Sequence, residues 1–179
     1  ENRGIEIKGK TVGIIGYGKT GKSFAEKLNA LGAKVLCHDL LPNKEDNYAM
    51  QVSINEIKEK SNIISLHTNL DETSLFLINK SFIDECKNPF YLINTSRGKC
   101  LKTSDLVKGL KSGKILGACL DVIENESNSF EEINYNSDLD YLKSSKNVII
   151  TPHIAGWTSE SKVNLSKVIL EKIKHMFDL

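Results

Sequence analysis

Apolar residues occur along this chain in two alternating patterns, short continuous runs and longer stretches with helical spacing. The continuous runs are bounded by glycine, proline or polar residues, which is typical of strands buried on both faces. Six strands are predicted from these runs, at Thr11–Ile15, Lys34–His38, Asn62–Leu66, Phe90–Asn94, Ile115–Val122 and Asn147–Thr151.

The stretches between the strands have the spacing of amphipathic helices. Lys22–Leu31 places its apolar side chains on one face, and Gly32 stands where a helix ends. Ser53, with Glu56 three residues later, is a capping signal that opens a short helix. The other predicted helical segments are Ser81–Cys86, Thr103–Lys111 and the longest, Ser159–Phe177.

This alternation predicts a single α/β domain of the Rossmann type, a doubly wound parallel sheet with helices on both faces. The polar, acidic segment Glu124–Ser145 departs from the pattern. We interpret it as a surface excursion with a helical turn around Phe130–Ile133.

Composition and charge narrow the possible partners. No apolar run approaches the roughly 18 residues of a membrane span, and no signal peptide is evident. The net charge is +1 without a basic stripe, which argues against a nucleic-acid partner. The four cysteines are widely spaced, so we predict no zinc site and no disulfides, and a reducing cytoplasm. Cys37 and Cys119 lie in strand-like runs and are expected to be small core residues.

Arginine is rare here. Of 24 Lys and Arg residues, all but Arg3 and Arg97 are Lys. Chance or codon bias explains an isolated arginine as well as function does, so Arg97 gains meaning only from its neighbours.

A glycine loop, Gly16-Tyr17-Gly18-Lys19-Thr20-Gly21, follows the first predicted strand and opens the first helix. Such a turn allows close backbone approach and offers free N–H donors to a phosphate. Asp39 ends the next strand, 18 residues after Gly21, where a carboxylate can accept both ribose hydroxyls of adenosine. Because a 2′-phosphate would meet a like charge there, the pattern favours NAD over NADP. A tight turn and a solvated strand-end acid are the structural alternatives.

Polar residues also follow the later strands, and ligands gather at the carboxyl ends of strands in such sheets. We expect Arg97, Glu126 and His153 to converge on one cleft as an anion-binding and acid–base set. A guanidinium grips a carboxylate with two parallel hydrogen bonds, which lysine cannot reproduce. Glu126 or Glu124 is the carboxylate that would orient His153. Taken singly, each residue could equally be a surface ion pair, a solvated acid, or a capping or core histidine.

These motifs, in this order, resemble the D-isomer-specific 2-hydroxyacid dehydrogenases, most closely their phosphoglycerate dehydrogenase-like members. The resemblance runs from Gly9 to the end of the chain. It is carried by Ser65-Leu66-His67-Thr68, Ile93-Asn94-Thr95-Ser96-Arg97-Gly98, Leu120-Asp121-Val122 and Thr151-Pro152-His153-Ile154-Ala155-Gly156-Trp157-Thr158.

The resemblance implies hydride transfer between NAD(H) and a 2-hydroxy or 2-oxo acid, with 3-phosphoglycerate as one candidate, in a homodimer. Arg97 would bind the substrate carboxylate and carbonyl, His153 would be the general acid–base, and Glu126 its partner. Asp121 would hold the nicotinamide amide. The cofactor-binding residues implied are Gly16, Gly18, Lys19, Thr20, Gly21, Asp39, His67, Thr68, Thr95, Ser96, Arg97, Asp121, His153, Ala155 and Gly156.

The chain departs from the family pattern in two ways. The family has Glu-Pro at the partner acid, whereas this chain has Glu126-Ser127; spacing favours Glu126 over Glu124. Family members also carry a substrate domain built from segments on both sides of the cofactor domain. We therefore expect residues 1–179 to be the NAD-binding domain alone, poorly active by itself, with Ser159–Phe177 leading back towards the substrate domain.

Two other functional classes compete with this one. An NAD(H)-sensing binding protein on the same fold would bind NADH tightly without turnover. A different dinucleotide enzyme, resembling alanine dehydrogenase or adenosylhomocysteinase, is disfavoured by the segments around Arg97 and His153.

Overall fold

Seven parallel strands form one sheet in the computed structural model, which describes residues 4–124 and 137–177. The strand order is β3-β2-β1-β4-β5-β6-β7. The strands are β1 (Thr11–Ile15), β2 (Lys34–His38), β3 (Met50–Gln51), β4 (Ile63–Leu66), β5 (Phe90–Asn94), β6 (Ile115–Leu120) and β7 (Val148–Ile150).

Six α-helices connect or follow these strands in the described residues. They are α1 (Lys19–Ala30), α2 (Ile54–Lys60), α3 (Lys80–Glu85), α4 (Thr103–Lys111), α5 (Ser137–Ser144) and α6 (Ser159–Phe177). The two end signals predicted from the sequence are confirmed. Ser53 and Glu56 form a capping box at the start of α2. Gly32 follows α1 with φ +78°, and the N–H of Ala33 donates to the carbonyl of Leu28, which closes the helix in a Schellman-type end.

Helices cover both faces of the sheet, and each face has its own apolar cluster. Side chains of α1, including Ala25 and Leu28, pack with Val12, Ile14 and Val35 on one face. The larger cluster on the other face includes side chains of α2, α3, α4 and α5. The doubly wound Rossmann-type sheet is thus confirmed.

The structure corrects the interpretation of Glu124–Ser145 as a surface excursion. Residues Ser137–Ser144 form helix α5, in which Leu139 and Leu142 are buried. The helix is short and its apolar positions are few, so its periodicity was too weak to detect among polar neighbours. The helical turn expected around Phe130–Ile133 lies outside the described residues.

Two smaller differences concern the sheet. Strand β3 was not predicted, because two residues carry no alternation pattern; it pairs with Leu36 and Cys37 at the sheet edge. Cys119 was expected in the core but is exposed, whereas Cys37 is fully buried. Cys119 pairs in register with Ile149 of the edge strand β7, and the Ile149 side chain is also exposed.

Helix α6 has the bounds predicted for it, and none of its residues is buried. Within the described ranges, no helix combines the length and the apolarity needed to cross a membrane.

Candidate functional site

The sheet order reverses between β1 and β4, and a cleft opens at the carboxyl ends of these two strands. Its volume is about 710 Å³. Seven of the residues predicted to bind the cofactor line it: Gly16, Gly18, Lys19, Thr20, Asp39, His67 and Thr68.

Two of the three glycines in the loop are constrained by the protein's own backbone, and the third is not. Gly16 has φ +91°, and a Cβ there would lie 2.7 Å from the backbone of His67 at the end of β4. A Cβ at Gly21 would collide with the carbonyl oxygen of Gly16, where α1 packs against the turn. A Cβ at Gly18 would meet nothing within 4 Å. Gly16 and Gly21 are therefore required for folding, and Gly18 leaves open space on the ligand side.

The first turn of α1 suits a pyrophosphate. Gly18 is the N-cap residue of this helix, and no side chain caps it. Four N–H groups at a helix start lack intrahelical partners, and the positive end of the helix dipole attracts an anion. The open cradle at Gly18 and the uncapped helix start both fit the phosphates of NAD.

Asp39 lies at the end of β2 and fixes the glycine loop to that strand. Its Oδ2 accepts a hydrogen bond from the N–H of Tyr17 (2.7 Å), and its Oδ1 accepts one from the N–H of Leu41 (2.9 Å). Because each carboxylate oxygen has two lone pairs, both oxygens keep capacity for ribose hydroxyls.

His67 directly follows β4 and lines the cleft. Its ring packs against Phe24 with centroids 5.3 Å apart, and its Nε2 lies 3.0 Å from the hydroxyl of Ser65. Burial lowers the pKa of His67 to about 4, so the ring is neutral at physiological pH. A neutral imidazole leaves the positive charge at this end of the cleft to Lys19 and the helix dipole.

Sequence reasoning missed the apolar walls of the cleft, which Leu40, Leu41, Ile54 and Leu77 provide. Leu40 is 72% and Leu41 60% exposed. The signal available in the sequence was a pair of leucines directly after the end of a predicted strand. In the structure, their exposed apolar surface beside Asp39 suits a flat base.

The predicted substrate arginine lies after β5 on a turn that is held by Asn94. The buried Asn94 side chain donates to the carbonyl of Arg97 (3.1 Å) and accepts from the N–H and hydroxyl of Ser96. Arg97 is exposed, and its Nη1 donates to the carbonyl of Ser96 at 2.7 Å. Other donors of the guanidinium fork stay available to an anion.

Asp121 holds the segment that carries His153. Its Oδ1 accepts from the hydroxyl of Thr151 (2.6 Å) and the N–H of Ile154 (2.9 Å), and its Oδ2 accepts from the N–H of Ala155 (2.9 Å). Burial acts to raise the pKa of Asp121, but these hydrogen bonds outweigh it and the pKa is lowered. Asp121 is 5% exposed, so its carboxylate mainly binds groups of the protein itself. One further lone pair on Oδ2 can accept a hydrogen bond from an amide.

His153 has a backbone conformation that few non-glycine residues adopt, with φ +55°. Its N–H donates to the carbonyl of Asp121 at 2.8 Å, and the N–H of Asp121 donates to the carbonyl of Asn94 at 2.9 Å. A continuous set of hydrogen bonds thus joins the backbones of Arg97 and His153 through Asn94 and Asp121. Strain of this kind persists where the surroundings enforce it, often at functional sites.

The two candidate partner acids have different standing. The Glu124 carboxylate accepts from the N–H of Thr103 (2.7 Å), at the start of a helix whose own N-cap, Lys102, gives no side-chain cap. Gly98 lies against the backbone of Ile123 and Glu124, where any Cβ would collide. Glu124 is therefore committed to a structural contact. Glu126 lies outside the described residues.

The predicted site thus falls into two groups in the described chain. Gly16, Gly18, Lys19, Thr20, Asp39, His67 and Thr68 line the cleft, whereas Gly21 lies against the carbonyl of Gly16. The second group lies at the carboxyl ends of β5 to β7, outside the cleft lining, and consists of Thr95, Ser96, Arg97, Asp121, His153, Ala155 and Gly156. Both groups occupy the same edge of the sheet.

Comparison with known proteins identifies the family to which this chain is similar. Residues 1–155 match the family profile described as D-isomer specific 2-hydroxyacid dehydrogenase, NAD binding domain. An aromatic 2-oxoacid reductase of Clostridium sporogenes is 34% identical over 96% of this chain and 54% of its own length. A D-specific alpha-keto acid dehydrogenase of Enterococcus faecium is 35% identical over 99% of this chain and 55% of its own.

Solved structures agree. The NAD-complexed D-isomer specific 2-hydroxyacid dehydrogenase of Lactobacillus delbrueckii ssp. bulgaricus superimposes with a TM-score of 0.87 at 32% identity, covering 97% of this chain and 55% of that one. The chain spans about half the length of the curated relatives it matches.

Proposed function

This chain belongs to the D-isomer-specific 2-hydroxyacid dehydrogenase family. We propose that it is part of an enzyme that transfers a hydride between NAD(H) and a 2-hydroxy or 2-oxo acid. NAD is the cofactor of this domain. The observation that carries the proposal is the hydrogen-bonded connection between the turns that bear Arg97 and His153, beside a cleft suited to a dinucleotide.

The protein's part in the reaction is binding, orientation and proton transfer, while NAD(H) supplies or accepts the hydride. Arg97 binds the substrate carboxylate through its planar fork. The His153 ring gives a proton to the developing alkoxide during reduction and takes it back from the hydroxyl during oxidation. Asp121 keeps the His153 segment in its strained conformation by binding Thr151, Ile154 and Ala155.

We assign the carboxylate partner of His153 to Glu126. The support comes from sequence spacing and from the engagement of Glu124 with the start of α4. A carboxylate beside an imidazole fixes the ring and favours the protonated form needed for reduction.

We infer a 2-oxo acid as the substrate class, since the relatives described above are named for aromatic 2-oxo acids and alpha-keto acids. The chemistry is shared with 3-phosphoglycerate oxidation, which belongs in the same test. A panel of pyruvate, phenylpyruvate, glyoxylate, hydroxypyruvate and 3-phosphohydroxypyruvate, with NADH, separates these substrates. The proposal includes a homodimer, which sedimentation tests directly.

Replacing His153 tests the mechanism. In the intact protein, we expect His153→Gln to lower kcat by about 10²- to 10⁴-fold while the Kd for NADH stays within about twofold, because only proton transfer is lost. Arg97→Lys should chiefly raise KM for the oxo acid, because a point charge replaces the bidentate fork. Stopped-flow binding and steady-state kinetics measure both effects.

Two controls sharpen this experiment. Glu126→Gln should shift the pH profile of kcat, whereas Glu124→Gln should leave that profile in place. Normal turnover in His153→Gln would contradict the mechanism. Tight NADH binding without turnover on any 2-oxo acid by the unaltered protein would indicate a cofactor-sensing protein instead.

A further inference from the structure

The connection between β2 and β3 forms one wall of the cleft without any helix or strand of its own. Asp39, Leu40, Leu41 and Lys44 of this connection line the cleft. Strand β3, to which it leads, is two residues long. Because the hydrogen bonds of a helix or strand are missing from this segment, side-chain contacts must hold it in one conformation.

Two side chains hold this segment: the Gln51 amide binds the backbone of Asp39, Leu41 and Lys44, and Asp46 ties the end of the segment to the glycine loop and to α1. The Oδ1 of Asp46 accepts hydrogen bonds from the hydroxyl of Tyr17 (2.9 Å), the N–H of Tyr48 (2.8 Å) and the N–H of Ala49 (3.3 Å). Its Oδ2 lies 2.8 Å from Nζ of Lys22 in the first turns of α1. One carboxylate thus joins the β2–β3 connection to both the glycine loop and the helix after it.

Tyr17 is the second half of this link. It lies between Gly16 and Gly18 in the glycine loop and is 4% exposed. Its N–H donates to Asp39 and its hydroxyl to Asp46, so the connection binds Tyr17 at both ends. Two hydrogen bonds of Tyr17 therefore join the glycine loop to the wall that carries Asp39.

The charges in this link are well defined at neutral pH. Burial acts to raise the pKa of Asp46, but hydrogen bonds from Lys22, Tyr48 and Tyr17 lower it to about 2. Burial and Asp46 together raise the pKa of Tyr17 far above its usual value. The bond is thus a protonated phenol donating to a carboxylate, which is stronger than a neutral pair.

We propose that Asp46 is a positioning residue for the adenosine half of NAD, acting through Tyr17 to hold Asp39 in its binding geometry. Asp46 does not line the cleft itself. The proposal rests on NAD binding and on Asp39 as the ribose acid; it does not require that the bound complex turn over a substrate.

The test uses Asp46→Asn, Tyr17→Phe and the double variant of the purified chain. The Kd is measured by calorimetry for NADH, for ADP-ribose, which carries the adenosine half, and for NMNH, which lacks it. Each single variant should raise the Kd for NADH and ADP-ribose about tenfold, because Tyr17→Phe removes the charge-assisted hydrogen bond and Asp46→Asn removes the charge that strengthens it. The Kd for NMNH should stay within about twofold.

The double variant should lose less affinity than the two single losses added together, because Tyr17→Phe removes the bond that Asp46→Asn has already weakened. Asp84→Asn and Tyr141→Phe are matched controls. Asp84 is an exposed carboxylate paired with Lys80 on α3, and Tyr141 lies on α5 beside Lys111. Neither control should change any Kd.

Three results would overturn the proposal. The first is a lowered unfolding temperature with an unchanged Kd for ADP-ribose, which would make the link structural only. The second is an equal loss for NMNH, and the third is full additivity in the double variant. If Asp46→Asn does not fold, Tyr17→Phe decides alone, since it removes a single oxygen. Failure of catalysis by the intact protein, with the expected ADP-ribose effects in the chain, would instead contradict the proposed enzyme function.

Discussion

Individual buried polar residues organise the ends of the strands in this domain. The Asn94 side chain binds the backbone of the turn that follows β5, and the Asp121 side chain binds the backbone of the segment that follows β7. A buried polar group is costly without partners, so these side chains are satisfied by several donors or acceptors at once. Asn94 at the end of β5 and Asp121 just after β6 thereby hold the backbone of the segments that carry Arg97 and His153.

Burial of His67 in the cleft leads to a prediction about the stability of the fold in acid. The folded pKa of His67 is about 4, below the unfolded value of 6.5. The unfolded chain therefore binds an extra proton between these values, and folding stability should fall as pH drops from about 6.5 to about 4. One unit of pKa shift is worth about 1.4 kcal/mol, so the loss is on the order of 3 kcal/mol.

Urea unfolding of the ligand-free chain at several pH values measures this loss. The variant His67→Asn lacks the titrating group and should show a flatter dependence over the same window. Parallel pH curves for the two proteins would show that burial of His67 does not govern this part of the profile.

Among the elements, the strand–turn–helix unit β1–α1 shows how one loop separates folding from binding. Gly16 and Gly21 are constrained by the protein's own backbone, whereas Gly18 faces open space. The helix start is uncapped by any side chain. Stability and ligand affinity therefore depend on different glycines.

This difference predicts opposite outcomes for two similar variants. Gly16→Ala should lower the unfolding free energy by roughly 2 kcal/mol or more, because it combines a positive φ with a 2.7 Å contact to His67. Gly18→Ala should leave stability within about 0.5 kcal/mol and weaken NADH binding, because its methyl enters the space left for phosphate. Thermal unfolding and NADH titration of both variants test this. An equal loss of stability in both would refute the division.

At the scale of the whole molecule, burial is uneven. The central strands are covered by two apolar clusters, with α1 on one face and α2 to α5 on the other. Helix α6 has no buried residue, although it carries exposed apolar side chains such as Leu165 and Ile169. The apolar side chains of α6 therefore do not contribute to the core that stabilises the sheet.

Matched leucine substitutions test this separation. Leu92→Ala in the fully buried part of β5 should cost about 2–5 kcal/mol of unfolding free energy, because it leaves a cavity in the core. Leu165→Ala, at a side chain 63% exposed, should change it by less than about 0.5 kcal/mol in the same chain. Chemical denaturation measures both. A comparable cost at Leu165 would mean that α6 is packed in solution.

The sequence by itself determined the strands and helices with strong periodicity, the cofactor loop and the order of polar residues at the strand ends. These features are local, since a run of apolar residues or a glycine turn is encoded by neighbours in the chain. The bounds of α4 and α6 and the capping box of Ser53 and Glu56 agree with the structure for this reason. Weak local signals, as in β3 and α5, were missed.

Only the tertiary structure decided which side chains meet across the fold. Asp46 contacts Tyr17 across 29 residues of sequence, and Asp121 binds Thr151 across 30. The exposure of Cys119 and the attachment of Glu124 to Thr103 likewise depend on which strand lies at the edge and which helix starts nearby. Such contacts are set by the distance between elements after they pack, and no periodicity in the chain encodes that distance.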